Sequence, residues 1–254
     1  MGVEYQHFLI PEDNTYRPGP EELSRLIDAL LDGGFVARAG TDAFRRMTFG
    51  TYTPYDNAKQ TGCYVHLGSG TYSSFPCPCS PRDIASLGER DFKIVWPVES
   101  SKDSGLKYPL TPFPEWGDAY YELELRSSTE FVNHLSGLIE PFDKVTCECG
   151  RPLEFDDEAA RMAANPVYYD GRIHRLCPSC GRRFRPQELI AQVRDGRTGE
   201  VSRRAGGCTY LFAVVIDCCK GFAREGWPIR ATEEFRGTVT QALGQAFYEI
   251  GDVY

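Results

Sequence analysis

The sequence predicts an α+β fold, a mixed or antiparallel sheet packed by helices, with a small cysteine-rich module inserted into it. Three observations predict this. Strand-like and helical stretches alternate loosely, without the strict repetition of a doubly wound sheet or a barrel. The stretch TYLFAVVIDCC, Thr209 to Cys219, is apolar on both faces and belongs inside a sheet. Between residues 146 and 205 the chain changes character, with two close cysteine pairs, each followed by glycine. The expected division is a body of residues 1–145 plus 206–254 and an insertion of residues 146–205.

Taken in order, Val3 to Ile10 reads as a strand and PEDNTYRPGP as a turn. A helix follows: Pro20 suits its first turn, Glu21 and Glu22 complement the positive end of its dipole, and Leu23, Leu26, Ile27 and Leu30 repeat at the spacing of one buried face. Gly33 and Gly34 end it, and Phe35 and Val36 begin a short strand. From Gly40 to Pro81 the abundance of Gly, Thr, Ser, Tyr and Pro predicts hairpins and loops. Asp91 to Glu99 is strand-like, and KYPLTPFPEWGD is a connection whose prolines exclude it from a central strand. Tyr120 to Ser128 alternates and predicts a strand with one wet face, and Thr129 to Ile139 a helix capped by Ser128 or Thr129. After the apolar strand at Thr209, a last helix starts near Thr232 and carries Phe235, Val239, Leu243, Ala246, Phe247 and Ile250 as a long apolar stripe.

The chain has 254 residues, 41% hydrophobic and 25% charged, enough apolar surface to bury a core and outside the range of disordered sequences. A net charge of -8 argues against a general nucleic-acid or membrane-surface binder, because both partners are themselves anionic, and favours a basic or neutral one. The opening MGVEYQHFLIPED has no basic region followed by an apolar run, and the longest apolar run, Tyr210 to Ile216, is far shorter than the roughly 20 residues of a bilayer span. The expectation is a cytoplasmic protein without a membrane partner. With no export signal, ten cysteines point to metal thiolates more than to disulfides.

The two cysteine pairs lie in VTCECGRPLEF and HRLCPSCGRRFRP. Glycine after the second cysteine of each pair permits the positive φ that a metal-binding turn requires. This arrangement resembles the zinc-ribbon family of metal-stapled modules over roughly Val145 to Ala205. The resemblance implies a structural Zn2+ held by Cys147, Cys149, Cys177 and Cys180. The chain departs from that pattern at CECG, where one residue separates the cysteines instead of two. The shorter bite is expected to be strained, with His174 as a reserve ligand. Four thiolates close a tetrahedron and leave no position for substrate, so the expected role is that of a staple, contributing on the order of 10 kcal/mol to folding the module.

From Arg172 to Arg204 nine arginines face three acids, a local charge of +6 that leaves -14 on the rest of the chain. Arg182, Arg183 and Arg185 could meet nucleic-acid phosphates, but only Phe184 supplies an aromatic near them, and arginines on a surface hairpin are more often solvated or paired to the acidic body. Cys63, His66, Cys77 and Cys79 make a conceivable second metal set, although no glycine follows the pair. Cys208, Cys218 and Cys219 read as small core residues. HLGSGTYSS lacks the Lys-Ser/Thr ending of a phosphate loop. Glu122 and Glu124 share a strand face and could act as an acid-base pair, though a solvated face explains them equally well. His7, His66, His134 and His174 lie near no nucleophile motif, so a non-catalytic protein is favoured and an enzyme of unrecognised type is left open. In character the chain resembles the immunity proteins of bacterial polymorphic toxin systems: acidic, α+β and without catalytic motifs. That resemblance implies a protein partner, a basic toxin domain, neutralised by binding. The alternative is a nucleic-acid-binding zinc ribbon.

Overall fold

The computed structural model describes residues 5–37, 63–67, 71–73, 81–87, 90–101, 105–113, 118–133, 147–151, 175–177, 179–184, 190–194, 199–205, 209–217 and 229–253. Among them the fold is α+β, as the sequence predicts. A seven-stranded antiparallel sheet has the order β13-β1-β11-β6-β4-β2-β3. Its strands are β1 (Tyr5–Pro11), β2 (Tyr64–Leu67), β3 (Thr71–Ser73), β4 (Phe92–Ser101), β6 (Asp118–Asn133), β11 (Thr209–Asp217) and β13 (Phe247–Val253). The helices are α1 (Pro20–Asp32), α2 (Pro81–Ser86) and α3 (Glu233–Leu243). Three two-stranded pairings complete it: β5 (Leu110–Thr111) with β12 (Arg230–Ala231), β7 (Arg175–Leu176) with β8 (Arg183–Phe184), and β9 (Ile190–Arg194) with β10 (Val201–Ala205). No helix among the described residues is long and apolar enough to cross a membrane.

β11 lies between β1 and β6, which explains why it is apolar on both faces. Phe212, Val214 and Ile216 join Leu9, Leu123, Leu125, Ile94 and Trp96 in the main core, into which α1 places Leu23, Leu26, Ile27 and Leu30 and α3 places Phe235, Val239 and Leu243. Ala213 and Val215 join Phe8, Ile10, Tyr210, Tyr248 and Ile250 in a smaller cluster. Strict alternation would put Tyr210 with Phe212, but the β11–β6 register shifts between these two residues and turns Tyr210 to the other cluster.

α1 starts where Pro20 and the two glutamates predict, with the Gly19 amide donating to Glu22 Oε2 at 2.8 Å. At its end Gly34 adopts φ 76°, and Phe35 donates its amide to Leu30 O at 3.0 Å. Phe35 and Val36 do not form the expected strand; the turn instead sets the Phe35 ring edge-on against Phe235, with centroids 4.9 Å apart. The hairpin of β2 and β3 falls within the segment read as hairpins and loops, whereas α2, at the end of that segment, was not foreseen.

Two further expectations are corrected. The last helix stops at Gly244, whose φ of 65° is left-handed, so Phe247 and Ile250 belong to β13 rather than to a continuing stripe. Residues 129–133 extend β6 instead of starting a helix; residues 134–139 lie outside the described residues. Ser128 and Thr129, read as helix caps, are used across strands. The Thr129 amide and hydroxyl donate to Asp91 Oδ1 at 2.7 and 2.8 Å, and the Ser128 hydroxyl at 3.2 Å.

β6 also lacks the wet face its alternation suggests. Glu124 is 4% exposed and is ion-paired with Arg126, with Lys93 Nζ at 3.6 Å, and Asp217 Oδ2 lies 3.4 Å from Arg126 Nη2. The Arg126 guanidinium sits over the Phe8 ring at 5.3 Å. A second buried polar node joins β1, β12, α3 and β13. Glu249 Oε2 lies 3.0 Å from His7 Nε2 and accepts the Ala231 amide at 2.8 Å, while Arg236 donates to Phe247 O at 2.9 Å. Removing one partner of a buried ion pair such as Glu124–Arg126 typically destabilises by about 3–5 kcal/mol.

Asp91 yields a pH prediction. Desolvation opposes its ionisation, but the hydrogen bonds from Thr129 and Ser128 and the charge of Arg17 outweigh it and hold its carboxyl below the usual range. A carboxylate lowered in the folded state stabilises above the unfolded pKa of about 3.9, and this is lost as pH falls through the lower folded value. Asp91→Asn should therefore lower the urea midpoint at pH 7 and reduce the further loss of stability below about pH 4. Parallel urea titrations of both proteins from neutral to acid pH would check it.

Candidate metal centre

The four predicted cysteines converge. Ligand atoms of Cys147, Cys149, Cys177 and Cys180 all lie within 4.8 Å of one another. Cys147 Sγ and Cys180 Sγ are 3.8 Å apart, as are Cys149 Sγ and Cys177 Sγ. A tetrahedron with a metal–sulfur distance of about 2.3 Å has sulfur–sulfur edges of about 3.8 Å, whereas a disulfide would bring two sulfurs to about 2.0 Å. The residues therefore fit a divalent cation bound by four sulfurs.

Local turns create this geometry. In the second knuckle the pairing of Arg175 with Phe184 and of Leu176 with Arg183 brings the chain back on itself. There Cys177 donates its amide to Arg182 O at 2.8 Å and Gly181 donates to Cys177 O at 2.8 Å. The first knuckle repeats the plan one residue shorter, with Cys147 donating to Arg151 O at 2.9 Å and Gly150 to Cys147 O at 2.8 Å. The missing residue is absorbed by a tighter turn, closed from residue i+3 rather than i+4. The expected strain of the CECG bite does not displace a cysteine from the cluster. His174, the reserve ligand, lies outside the described residues.

Gly150 and Gly181 have φ of 81° and 69°, and a Cβ added at either would meet nothing within 4 Å. Their requirement is backbone conformation rather than space. Glu148, between the first two cysteines, is ion-paired with Arg182 just after the fourth, which ties one knuckle to the other. Both side chains are about half exposed, at 54% and 47%, so the pair contributes at most about 1 kcal/mol.

Backbone amides aim at the sulfurs. Those of Cys180 and Ser179 donate to Cys177 and, against desolvation, draw its thiol down to about 6. The Arg182 amide favours a Cys180 thiolate too, but the neighbouring Cys177 sulfur and desolvation push Cys180 up to about 11. Cys147 receives the Cys149 amide yet is also raised, by desolvation and by the thiols of Cys149 and Cys177. One sulfur ionises readily and its charge then resists ionisation of the others. A cation among them would remove that resistance.

The remaining candidates are less assembled. Cys63 is buried in the main core. Cys77, Cys79, Cys208, Cys218, Cys219 and His134 lie outside the described residues, and His66 is on β2. The glycine-rich stretch after His66 is flanked by β2 and β3, paired antiparallel, rather than by a strand and a helix. Glu122 and Glu124 do share a face, but Glu124 is held by Arg126 and Lys93 rather than poised as an acid or base.

Sequence reasoning missed the ion-pair partners. Glu148 was open to detection as the acid between two cysteines facing an arginine-rich knuckle. Arg204 on β10 is ion-paired with Glu12, donates to Glu12 O at 2.8 Å and stacks 3.7 Å from the Tyr248 ring centroid. It is therefore one arginine of the basic segment that pairs with the body. No family model, curated protein or solved structure matches the chain.

Gly181→Ala forces a non-glycine residue into a left-handed turn, at about 1–2 kcal/mol, which corresponds to a roughly 5- to 30-fold weaker hold on the metal. Gly237→Ala, within α3 and also with nothing within 4 Å of the added Cβ, should leave metal affinity unchanged. Competition against a chromophoric chelator measures both.

Proposed function

We propose that this chain is a non-catalytic protein stapled by a structural zinc ion, which acts by binding another protein and neutralises a basic bacterial toxin domain in the manner of an immunity protein. The observation that carries the metal part is the convergence of four cysteine sulfurs within 4.8 Å of one another, two pairs of them at the 3.8 Å edge of a four-sulfur tetrahedron. Zinc is the cation this donor set favours, being d10, content with tetrahedral geometry and suited to thiolates. With all four positions filled by sulfur, no site remains for a water or a substrate. A reducing compartment, the cytoplasm, suits such thiols.

The acidic balance supports the partner class. The two long helices lie side by side over the main core, and Glu21, Asp28, Asp32, Glu233 and Glu234 are exposed on them. Among the described residues, Arg25, Arg82, Lys107 and Arg230 are exposed cations nearby, and Lys107 is ion-paired with Glu234. A surface of this sign speeds encounter with a basic partner and penalises anionic ones. The competing nucleic-acid reading rests on Arg182, Arg183 and Arg185. It is weakened because Glu148 holds Arg182 and the body holds Arg204.

Purified chain should contain about one zinc per molecule by elemental analysis, lost in Cys177→Ser. Co-purification with the product of the reading frame adjacent to its gene should give a complex whose association rate falls as salt rises. Failure to form that complex would remove the immunity reading. Retention on DNA or RNA that weakens steeply from about 50 to about 200 mM salt and is lost in Arg183→Glu would replace it with the nucleic-acid one.

A further inference from the structure

The four cysteines differ in exposure, and the difference is ordered. Cys149 and Cys180 are exposed residues, whereas Cys147 and Cys177 are 4% and 1% exposed. Each 3.8 Å sulfur–sulfur contact joins an exposed cysteine to a buried one of the opposite knuckle: Cys149 to Cys177, and Cys180 to Cys147. Each knuckle therefore offers one exposed cysteine to an oxidant, with a buried cysteine of the opposite knuckle 3.8 Å from it.

We propose that the centre is a site of oxidative modification, in which a two-electron oxidant of the peroxide class converts the four metal-binding thiolates into two cross-knuckle disulfides, Cys149–Cys177 and Cys147–Cys180, and releases the cation. This rests on the metal reading proposed above and adds a regulation to that site. The exposed Cys149 thiolate attacks one peroxide oxygen, cleaves the O–O bond and becomes a sulfenic acid, releasing hydroxide. The Cys177 thiolate then attacks that sulfur, forms the S–S bond and expels a second hydroxide. Two protons from solvent convert the hydroxides to water, and the two electrons given up by the sulfur pair reside in the reduced oxygens. The same sequence at Cys180 and Cys147 consumes a second peroxide.

Bond formation asks each pair to close from 3.8 Å to about 2.0 Å. With no thiolate left, the centre has no donor for a divalent ion. The disulfides join the same two chain segments that the metal joins, so oxidation exchanges a metal staple for a covalent one. The knuckles stay tethered while the cation is freed.

The test treats the full zinc-loaded chain with hydrogen peroxide, follows zinc release with a chromophoric chelator, and maps disulfides after alkylation and trypsin digestion. Cleavage after Lys144 and Arg161 frees Val145 to Arg161, because Pro152 blocks cleavage at Arg151; cleavage after Arg175 and Arg182 frees Leu176 to Arg182. The expected result is release of all bound zinc in step with disulfide linkage of these two peptides, with fragmentation assigning Cys149–Cys177 and Cys147–Cys180, and rebinding of zinc after thiol reduction. Zinc retained under peroxide, disulfides confined within either peptide, or sulfinic acids in place of disulfides would overturn the proposal. Absence of zinc before peroxide is added would overturn the metal reading itself, and this one with it.

Discussion

Four sulfur atoms within 4.8 Å of one another cannot all carry negative charge without a cation between them. This constraint organises the two knuckles that carry Cys147 and Cys149 and Cys177 and Cys180. The two knuckles belong to chain segments about thirty residues apart and, among the described residues, meet through the sulfurs and the Glu148–Arg182 ion pair. The ion pair is half exposed and contributes little. The sulfurs, with amides already directed at them, are where binding energy can hold the knuckles together. Each knuckle is a tight turn with a left-handed glycine and, among the residues whose burial is described, buries only its first cysteine, so its order depends on what the sulfurs grip.

The seven-stranded sheet and its helices obey a different constraint. The sheet places β11 between two antiparallel neighbours, covers one face with α1 and α3, and gathers a second, more aromatic cluster around Phe8, Tyr210 and Tyr248. Both layers contain buried acidic side chains, each held by partners: Glu124 with Arg126, and Glu249 with His7 and the Ala231 amide. Such groups are tolerated only when paired, and they fix which strands and helices meet. Arg204 extends this logic outward. It lies five residues before β11 begins at Thr209, and it holds Glu12 and the Tyr248 ring. The hairpin of β9 and β10 is thereby fastened to the end of β1 and to β13.

Much of the fold and the clustering of the four cysteines were legible in the sequence, for physical reasons that also mark where reading failed. α1 announced itself through proline, acids and a regular apolar face, and the cluster through paired cysteines before glycine. α3 was read too long because Ala246, Phe247 and Ile250 continue a helical spacing by coincidence, although Gly244 carried the stop signal. Thr129 to Asn133 were misassigned because Ser128 and Thr129 make good helix caps, and only the tertiary position of Asp91 turns them to cross-strand bonding. The register shift that turns Tyr210, and the pairing of Glu124 with Arg126 and Lys93, depend on which strands lie side by side, which no local pattern encodes.

The most direct measurement is X-ray absorption at the zinc edge on the purified chain. The account predicts a first shell of four sulfurs at about 2.3 Å, with no nitrogen or oxygen neighbour. A shell containing light-atom ligands, or fewer than four sulfurs, would contradict it, because the centre would then be open rather than closed.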